Sequence, residues 1–383
     1  MSFLVWTLLA VQVLLAARVA ARMLATARGI SIGSCTQDGS SRSVTILVPV
    51  LDEECRLGPC LDALRAQGED VREILVVDGG SHDATCALVR AAASCDDRIR
   101  LIEAAPVPAG WNGKAWNLES GLRASDATST LIVTVDADVR ANPGLVSALV
   151  AHARKTGMSA FSVAAHQHVP DAAAGLLHPS MLTTLVYRFG IPGCAATSVD
   201  RVQANGQCFV ASRELLVRTG AIDKARDSRC EDVTIARVLA ASGTPVGFYE
   251  STDLVKTAMY ENWRETLNWP RSLTMLDRYS GVAGWVGLLE VLLVQALPPW
   301  IAAALLLWGT PNSLDRAALA VQGALVLMRV ATLIGTRRAY DAPPATYWLS
   351  PLADLPVAIL LFASALRRRH TWRGRALVPM EAR

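Results

Sequence analysis

The chain has 383 residues and a formal net charge of +3, too slight a surplus for a nucleic-acid binder, and no basic stripe interleaved with aromatics appears. Hydrophobic residues make up 52% and the mean hydropathy is +0.30, which argues against a purely soluble protein. The excess is uneven: Phe3 to Ala17 carries no charge, roughly 281–366 is mostly apolar, and about 43–250 reads as ordinary globular sequence. A soluble core flanked by membrane segments is the simplest partition.

Residues 1–24 read as an N-terminal membrane anchor. Arg18, Arg22 and Arg28 follow the apolar run instead of preceding it, unlike a cleavable signal, and the positive-inside rule then delivers residue 25 onward to the cytoplasm. A polar linker, 25–42, leads into "SVTILVPVL" (43–51), a buried-strand run followed by a helical stretch through "LGPCLDALRAQG". Further strands are expected at "EILVVDGG" (73–80), "RIRLIEAA" (98–105) and "STLIVTVDADV" (129–139), with helices at about 83–93 and up to about Ala124. This alternation predicts a mostly parallel, doubly wound α/β sheet across 43–250. Ligands in such sheets lie beyond the carboxyl ends of the strands.

An amphipathic interface segment, 251–280, precedes a transmembrane region, 281–368, and a basic tail, 369–383. Stretches 284–308, about 314–335 and 347–366 are each long enough to span. Three spans would put the tail outside, against the positive-inside rule; the reading keeps the tail cytosolic and leaves the span count open. The eight cysteines form no CxxC pair and no zinc-type array, and scattered so they read as reduced core thiols.

The chemistry gathers at the strand ends. Asp136 and Asp138 close an apolar strand, a placement suited to a divalent cation that also binds substrate phosphates; the alternative is a pair of exposed turn aspartates. Asp78 ends an earlier strand, and Glu53 and Glu54 follow the first. Like charges in one cleft repel, so a nucleotide with Mg²⁺ or Mn²⁺ explains three acidic clusters better than structure alone does. Lys114, in "PAGWNGKAWNLESGL", is not part of a phosphate loop of the GxxxxGK[ST] kind, because Ala115 stands where Ser or Thr is required. At a helix start it either meets a diphosphate or base, aided by the helix dipole, or is a solvated surface lysine. Trp111 and Trp116 either flank a sugar or pack. In "CEDVTIARVLAASG" (230–243) an amphipathic helix opens on Glu231-Asp232, with Val233, Ala236 and Leu239 or Ala240 inward. Asp232 is either a dipole partner or a general base for an acceptor hydroxyl. His166 and His168 read as an exposed or satisfied pair, and Trp263 and Trp269 as interface-belt residues.

These motifs, in this order, resemble the family 2 glycosyltransferases, membrane-associated inverting enzymes of GT-A fold, across roughly residues 43–280. "VPVLDEE" is similar to the family's opening strand and nucleotide loop, where Pro49 and Glu53 fall, with Asp52 in place of a frequent Asn. "VVDGGSHDAT" resembles VDDGSxDxT, with Asp78 kept as a uracil contact and Gly79 replacing the second Asp. "VDADV" resembles the DxD, with Asp138 on the metal and Asp136 on the nucleotide, and "CEDV" resembles the ED motif, which makes Asp232 the base beside Glu231. The segment around Lys114 resembles that of bacterial lipid-modifying members. The (Q/R)xxRW motif is degraded: Asn268 and Arg271 keep the spacing while Ser272 replaces Trp, so Arg271 touches either the diphosphate or the membrane surface.

The resemblance implies a membrane enzyme that transfers glucose from UDP-glucose, with inversion and a divalent metal, to a carotenoid-, hopanoid- or sphingolipid-like acceptor, its catalytic domain cytoplasmic. The rivals are a non-catalytic scaffold with a decayed transferase domain, a polysaccharide-synthesising member, and a transporter, which needs polar residues within its spans where none is evident.

Overall fold

The computed structural model describes residues 2–34, 42–251, 253–258, 260–274, 276, 279–310, 312–367, 370–372 and 375–377. Most of the basic tail, Arg278 and part of the linker lie outside these residues.

The expected strands form where apolar runs stop at turn residues. They are β1 (Ser31–Ile32), β2 (Val44–Val50), β3 (Val71–Asp78), β4 (Ile99–Glu103) and β5 (Leu131–Val135). Helices α2 (Glu54–Arg65), α3 (Thr85–Ala93) and α4 (Gly113–Ala124) follow β2, β3 and β4 in turn, and α5 (Leu145–Thr156) comes after β5. In the nine-stranded sheet β5, β2, β3 and β4 lie side by side and parallel. Strand Cys208–Ser212 runs antiparallel to β5 and to Ala160–Ala164, and Val246–Ser251 then β1 complete that edge. Alternation along the strands feeds two cores: Ile46, Val48, Ile74 and Val76 face one layer, and Leu47, Leu75 and Val77 the other. Each such side chain, fully buried, contributes about 1.5–3 kcal/mol, so the paired cores fix the register of the strand ends that carry the acids.

Four helical stretches are long and apolar enough to cross a membrane: Phe3–Thr26, Gly281–Trp308, Ser313–Ala339 and Ala345–Leu366. The first lies within helix α1 (Ser2–Thr26). Its C-terminal end meets the globular domain, where Ile191 N donates to Thr26 Oγ1 at 2.8 Å. The second stretch leaves that domain and the third returns to it, ending beside strand Tyr340–Asp341, which pairs with His166–His168. The fourth stretch touches the domain at both ends. Thr346 Oγ1 donates to Ala172 O at 2.6 Å, and Arg367 O accepts from Arg229 at 3.4 Å.

Three features depart from the sequence reading. Helix α6 (Ala172–Phe189), from the stretch read as ordinary globular sequence, lies among the apolar helices. Its Tyr187 packs with Leu15, Val19, Val294 and Leu325, and its Met181 with Leu288, Val291 and Leu361. The apolar stretches also carry buried polar groups. Asp354 receives Arg329 Nε at 2.7 Å, Ser180 Oγ at 2.6 Å and Gln295 Nε2 at 2.9 Å; Glu290 takes Arg22 at 2.9 Å and Arg18 at 3.1 Å; and Gln12 pairs with Gln322 at 2.8 Å. Each is matched by a partner on another element. The seven described cysteines are free, yet only Cys60 and Cys208 are buried, while Cys55, Cys95 and Cys194 are exposed. Core burial does not describe the set.

Candidate functional site

The first loop is built by the second. Asp52 adopts φ +52°, a left-handed conformation that Asp and Asn tolerate best among non-glycine residues. Its carboxylate accepts from His82 N at 2.8 Å, and its amide donates to Ser81 Oγ at 2.9 Å. Glu53 N and Glu54 N donate to Thr85 Oγ1 and Asp83 Oδ2 at 2.8 and 3.1 Å. The "GSHDAT" residues therefore clamp the turn that presents Glu53. Asp78 belongs to this scaffold: its carboxylate, 4% exposed, accepts from Gly80 N at 2.9 Å and from Ser81 N and Oγ. Gly79 is packed too, since a Cβ there would stand 3.0 Å from the Asn117 amide, which itself donates to Val50 O and Val77 O at 3.2 and 3.1 Å.

Lys114 starts α4 where Asn112 fastens the helix to the loop before Cys230: Asn112 N donates to Arg226 O at 2.7 Å and its side chain to Ser228 O at 2.8 Å. The strand end at Asp136 and the helix opening at Glu231 thus converge on one ammonium. Lys114 Nζ lies 2.8 Å from Asp136 Oδ1 and 2.9 Å from Glu231 Oε1. Asp232 stands beside them. Its Oδ1 accepts from Val233 N at 2.8 Å and lies 2.9 Å from Cys230 Sγ, while Oδ2 faces Gly206, where a Cβ would come within 3.0 Å of it. Asp138 Oδ1 is buried with no hydrogen-bond partner among the described residues. On the far rim Arg56 is 3.1 Å from both Glu261 and Glu265 and 3.8 Å from Glu53.

Acids outnumber bases here, and the protonation equilibria register it. Burial pushes Asp136 up to about 7, with Lys114 opposing and Asp138 adding to the rise. Burial also raises Asp138 and Asp232, the latter further through Glu231. Lys114 is held well above its ordinary value because Asp136, Glu231 and Asp232 outweigh its own desolvation. Two like charges 4 Å apart cost about 4 kcal/mol at an effective dielectric constant near 20, so one lysine leaves this cluster short of positive charge. Among the described residues no group of three or more His, Cys, Asp or Glu is placed to hold a metal ion. A Mg²⁺- or Mn²⁺-type ion bound mainly through phosphate and water needs only one or two carboxylates, and the orphaned Asp138 oxygen fits that demand.

These groups line a cavity of about 1010 Å³. Of the residues singled out in the sequence, Pro49, Glu53, Lys114, Asp136, Asp138, Glu231 and Asp232 are on its wall, as are His166, Asn268, Trp269 and Ser272, and Asp78 is not. The side chain of Arg271 lies outside the described residues. Trp116 packs, donating Nε1–H to Ala104 O at 2.6 Å with Trp111 edge-on at 5.2 Å, and neither lines the cavity. The helix opening on Glu231 is buried from Val233 through Ala240, not amphipathic as expected. Trp263 is exposed, but Trp269 stacks on buried His178 at 4.3 Å instead of facing a bilayer surface. Sequence reasoning missed the rest of the wall. From the polar cleft the cavity continues to Met23 of α1, to Leu182, Leu185 and Val186 of α6, and to Ala331 and Gly335. Small and apolar residues on helices carry no chemical signature, so only the packing of those helices could reveal them.

Residues 45–203 match the family model described as Glycosyl transferase family 2. No curated protein matches the chain. A mannosyltransferase from Pyrobaculum calidifontis, PcManGT, solved with GDP-mannose and Mn²⁺, is 18% identical and superposes with a TM-score of 0.50, covering 94% of this chain and 98% of its own. Glucosyl-3-phosphoglycerate synthase from Mycobacterium tuberculosis, solved with Mn²⁺, UDP-glucose and phosphoglyceric acid, is 16% identical over 67% of this chain and 88% of its own. Its TM-score of 0.41 is too low to argue from. The fold is the GT-A-like, mostly parallel sheet with flanking helices, and the chain, through the domain at 45–203, is a glycosyltransferase.

Proposed function

We propose that this glycosyltransferase moves glucose from UDP-glucose, with inversion, to a hydroxyl or carboxyl on a membrane lipid of carotenoid, hopanoid or sphingolipid type. The observation that carries the lipid acceptor is the continuity of one cavity from Asp136 and Asp232 to the apolar side chains of α1, α6 and the 313–339 stretch. A water-soluble acceptor has no use for that arm, whereas an amphiphile enters it sideways with its polar end towards Asp232.

In this reading Pro49 and Glu53 hold the nucleoside, Asp78 acts through the loop it braces, and Lys114, Asp136 and Glu231 hold the ribose and diphosphate. Arg271 approaches the same diphosphate from the 251–280 segment. Asp138, with Asp136, holds Mg²⁺ or Mn²⁺, which when bound neutralises charge on the departing diphosphate. Asp232 takes the proton of the acceptor hydroxyl as that oxygen bonds to the anomeric carbon. The bond from that carbon to the diphosphate oxygen breaks on the opposite face, and its electron pair leaves with UDP. Asp232, with Oδ1 fixed by Val233 N and its side chain on the cavity wall, suits a base that must be oriented before the acceptor arrives.

The reading extends to topology. The C-terminal ends of Phe3–Thr26 and Ser313–Ala339, with Arg22, Arg28, Arg337 and Arg338, and both ends of Ala345–Leu366 lie on the catalytic-domain side. Three crossings and one re-entrant stretch then leave the catalytic domain and Arg367 in the cytoplasm, as the positive-inside rule requires.

Membranes containing the protein, given labelled UDP-glucose, Mn²⁺ and total lipid extract, are expected to place label in the organic phase, and Asp138→Ala membranes to place none. Absence of label with the wild type across several UDP-sugars would remove the lipid acceptor from the proposal.

A further inference from the structure

Segment Gln203–Gln207 forms the cavity floor between Lys114 and Asp232. Gly206 marks the place: a Cβ there would lie 3.0 Å from Asp232 Oδ2 and 3.2 Å from Lys114 Nζ. A sugar joined to a diphosphate at Lys114 and attacked by an acceptor deprotonated at Asp232 has to lie over this residue. Around it Gln167, Gln203, Asn205 and Gln207 all line the cavity.

Three of these amides lock one another. Asn205 Nδ2 donates to Gln207 Oε1 at 2.9 Å, and Gln207 N donates back to Asn205 Oδ1 at 3.0 Å. Gln167 Nε2 donates to Ala165 O at 3.0 Å and to Gln207 Oε1 at 3.4 Å, and Gln207 Nε2 donates to Thr257 Oγ1 at 3.2 Å. A primary amide has two N–H donors and two carbonyl lone pairs. After these bonds an N–H remains on Asn205 and on Gln207, and acceptor capacity remains on Asn205 and Gln167. The cluster is held in place and still offers both donors and acceptors, as sugar hydroxyls require.

We propose that this amide cluster reads the hydroxyls of the transferred sugar and selects a neutral hexose. Neutrality follows from the surroundings: over Gly206 a uronate carboxylate would lie beside Asp232, with Asp136 and Glu231 already engaging the adjacent Lys114 ammonium, and the cavity's carboxylates outnumber Lys114, Arg56, Arg229 and Arg338. The inference rests on the roles proposed for Lys114 and Asp232.

Binding of UDP and of UDP-glucose to the purified full chain in detergent, with Mn²⁺, separates the sugar from the nucleotide. Asn205→Ala and Gln207→Ala are each expected to weaken UDP-glucose roughly three- to tenfold, the worth of one neutral hydrogen bond, while UDP binds as to the wild type. Gln203→Ala, which breaks none of the internal bonds, is expected to act in the same direction without risk to folding. UDP-glucuronic acid should bind the wild type roughly tenfold or more weakly than UDP-glucose, and equal binding would overturn the selection of a neutral sugar. If the three variants shift UDP and UDP-glucose alike, or shift neither, the sugar-reading assignment is overturned while the transferase reading stands. A wild type that binds neither nucleotide overturns both.

Discussion

The acidic cleft and the helix bundle each bury charge, and they satisfy it differently. In the bundle the Asp354 carboxylate is saturated by Arg329, Ser180 and Gln295. In the cleft Asp136 and Glu231 share Lys114, and Asp138 keeps an oxygen with no partner among the described residues. A buried carboxylate matched by its own guanidinium holds helices in register, whereas a cluster with carboxylates in excess is poised for a cation and a ligand. Unmet atoms alone do not tell the two apart, since Arg329 Nη1 and Gln295 Oε1 also lack partners among the described residues; the balance of charge does.

The sharpest way to break this comparison is at the base. Asp232→Asn should lower transfer by about 10²–10⁴-fold, the usual range for general-base catalysis, with UDP-glucose binding retained in a displacement assay. Undiminished transfer would sink the assignment of Asp232. On the bundle side Asp354→Asn should destabilise by about 3–5 kcal/mol, because it strands the buried Arg329, read as a large fall in thermal midpoint in detergent. Arg329→Met with Asp354→Leu should recover much of that loss; a double variant no better than the single one would mean that the pair does more than pin helices.

A ligand experiment compares the regions directly. Saturating UDP with Mn²⁺, at about a hundredfold above Kd, should raise wild-type stability by about 2.7 kcal/mol. Asp138→Ala should forfeit most of that gain while its ligand-free midpoint holds or rises, since a repelling carboxylate has gone. A ligand-free midpoint that falls as far as in Asp354→Asn would place Asp138 with the structural charges. The smallest effect belongs to Gln12→Leu, about 0.6 kcal/mol, the mean for one hydrogen bond between helices within a membrane; a shift comparable to that of Asp354→Asn would show that the Gln12–Gln322 contact is not an ordinary one.

Strand ends were legible in the sequence because apolar β runs stop abruptly at carboxylates, so Asp136, Asp138 and the turn at Glu53 could be placed on one edge without coordinates. Lys114 and Asp232 were legible as residue types, but their meeting was not: it depends on Asn112 fastening α4 to the loop at 226–228. Asp78 read as a ligand contact because its position in the motif does not reveal which way its oxygens are already committed. Helix α6 was invisible as a bundle helix. Its His178, Ser180, Thr183, Thr184 and Arg188 depress its hydropathy; the two threonines bond back to Pro179 O and Met181 O of the same helix, while His178, Ser180 and Arg188 find Tyr340, Asp354 and Thr274 O only after tertiary packing. The Arg329–Asp354 pair also hid, being split between two apolar stretches.

Helix α1 has one more consequence, which concerns the order of synthesis. Its Arg22 awaits Glu290, 268 positions later, and its Gln12 awaits Gln322, 310 positions later. At about 5–20 residues per second, tens of seconds separate the helix from the emergence of either partner. Both contacts thus form only after the whole sheet domain has been made. A chain interrupted before residue 290 carries the cleft carboxylates, Met23 and the α6 residues, but not Ala331 and Gly335 of the arm.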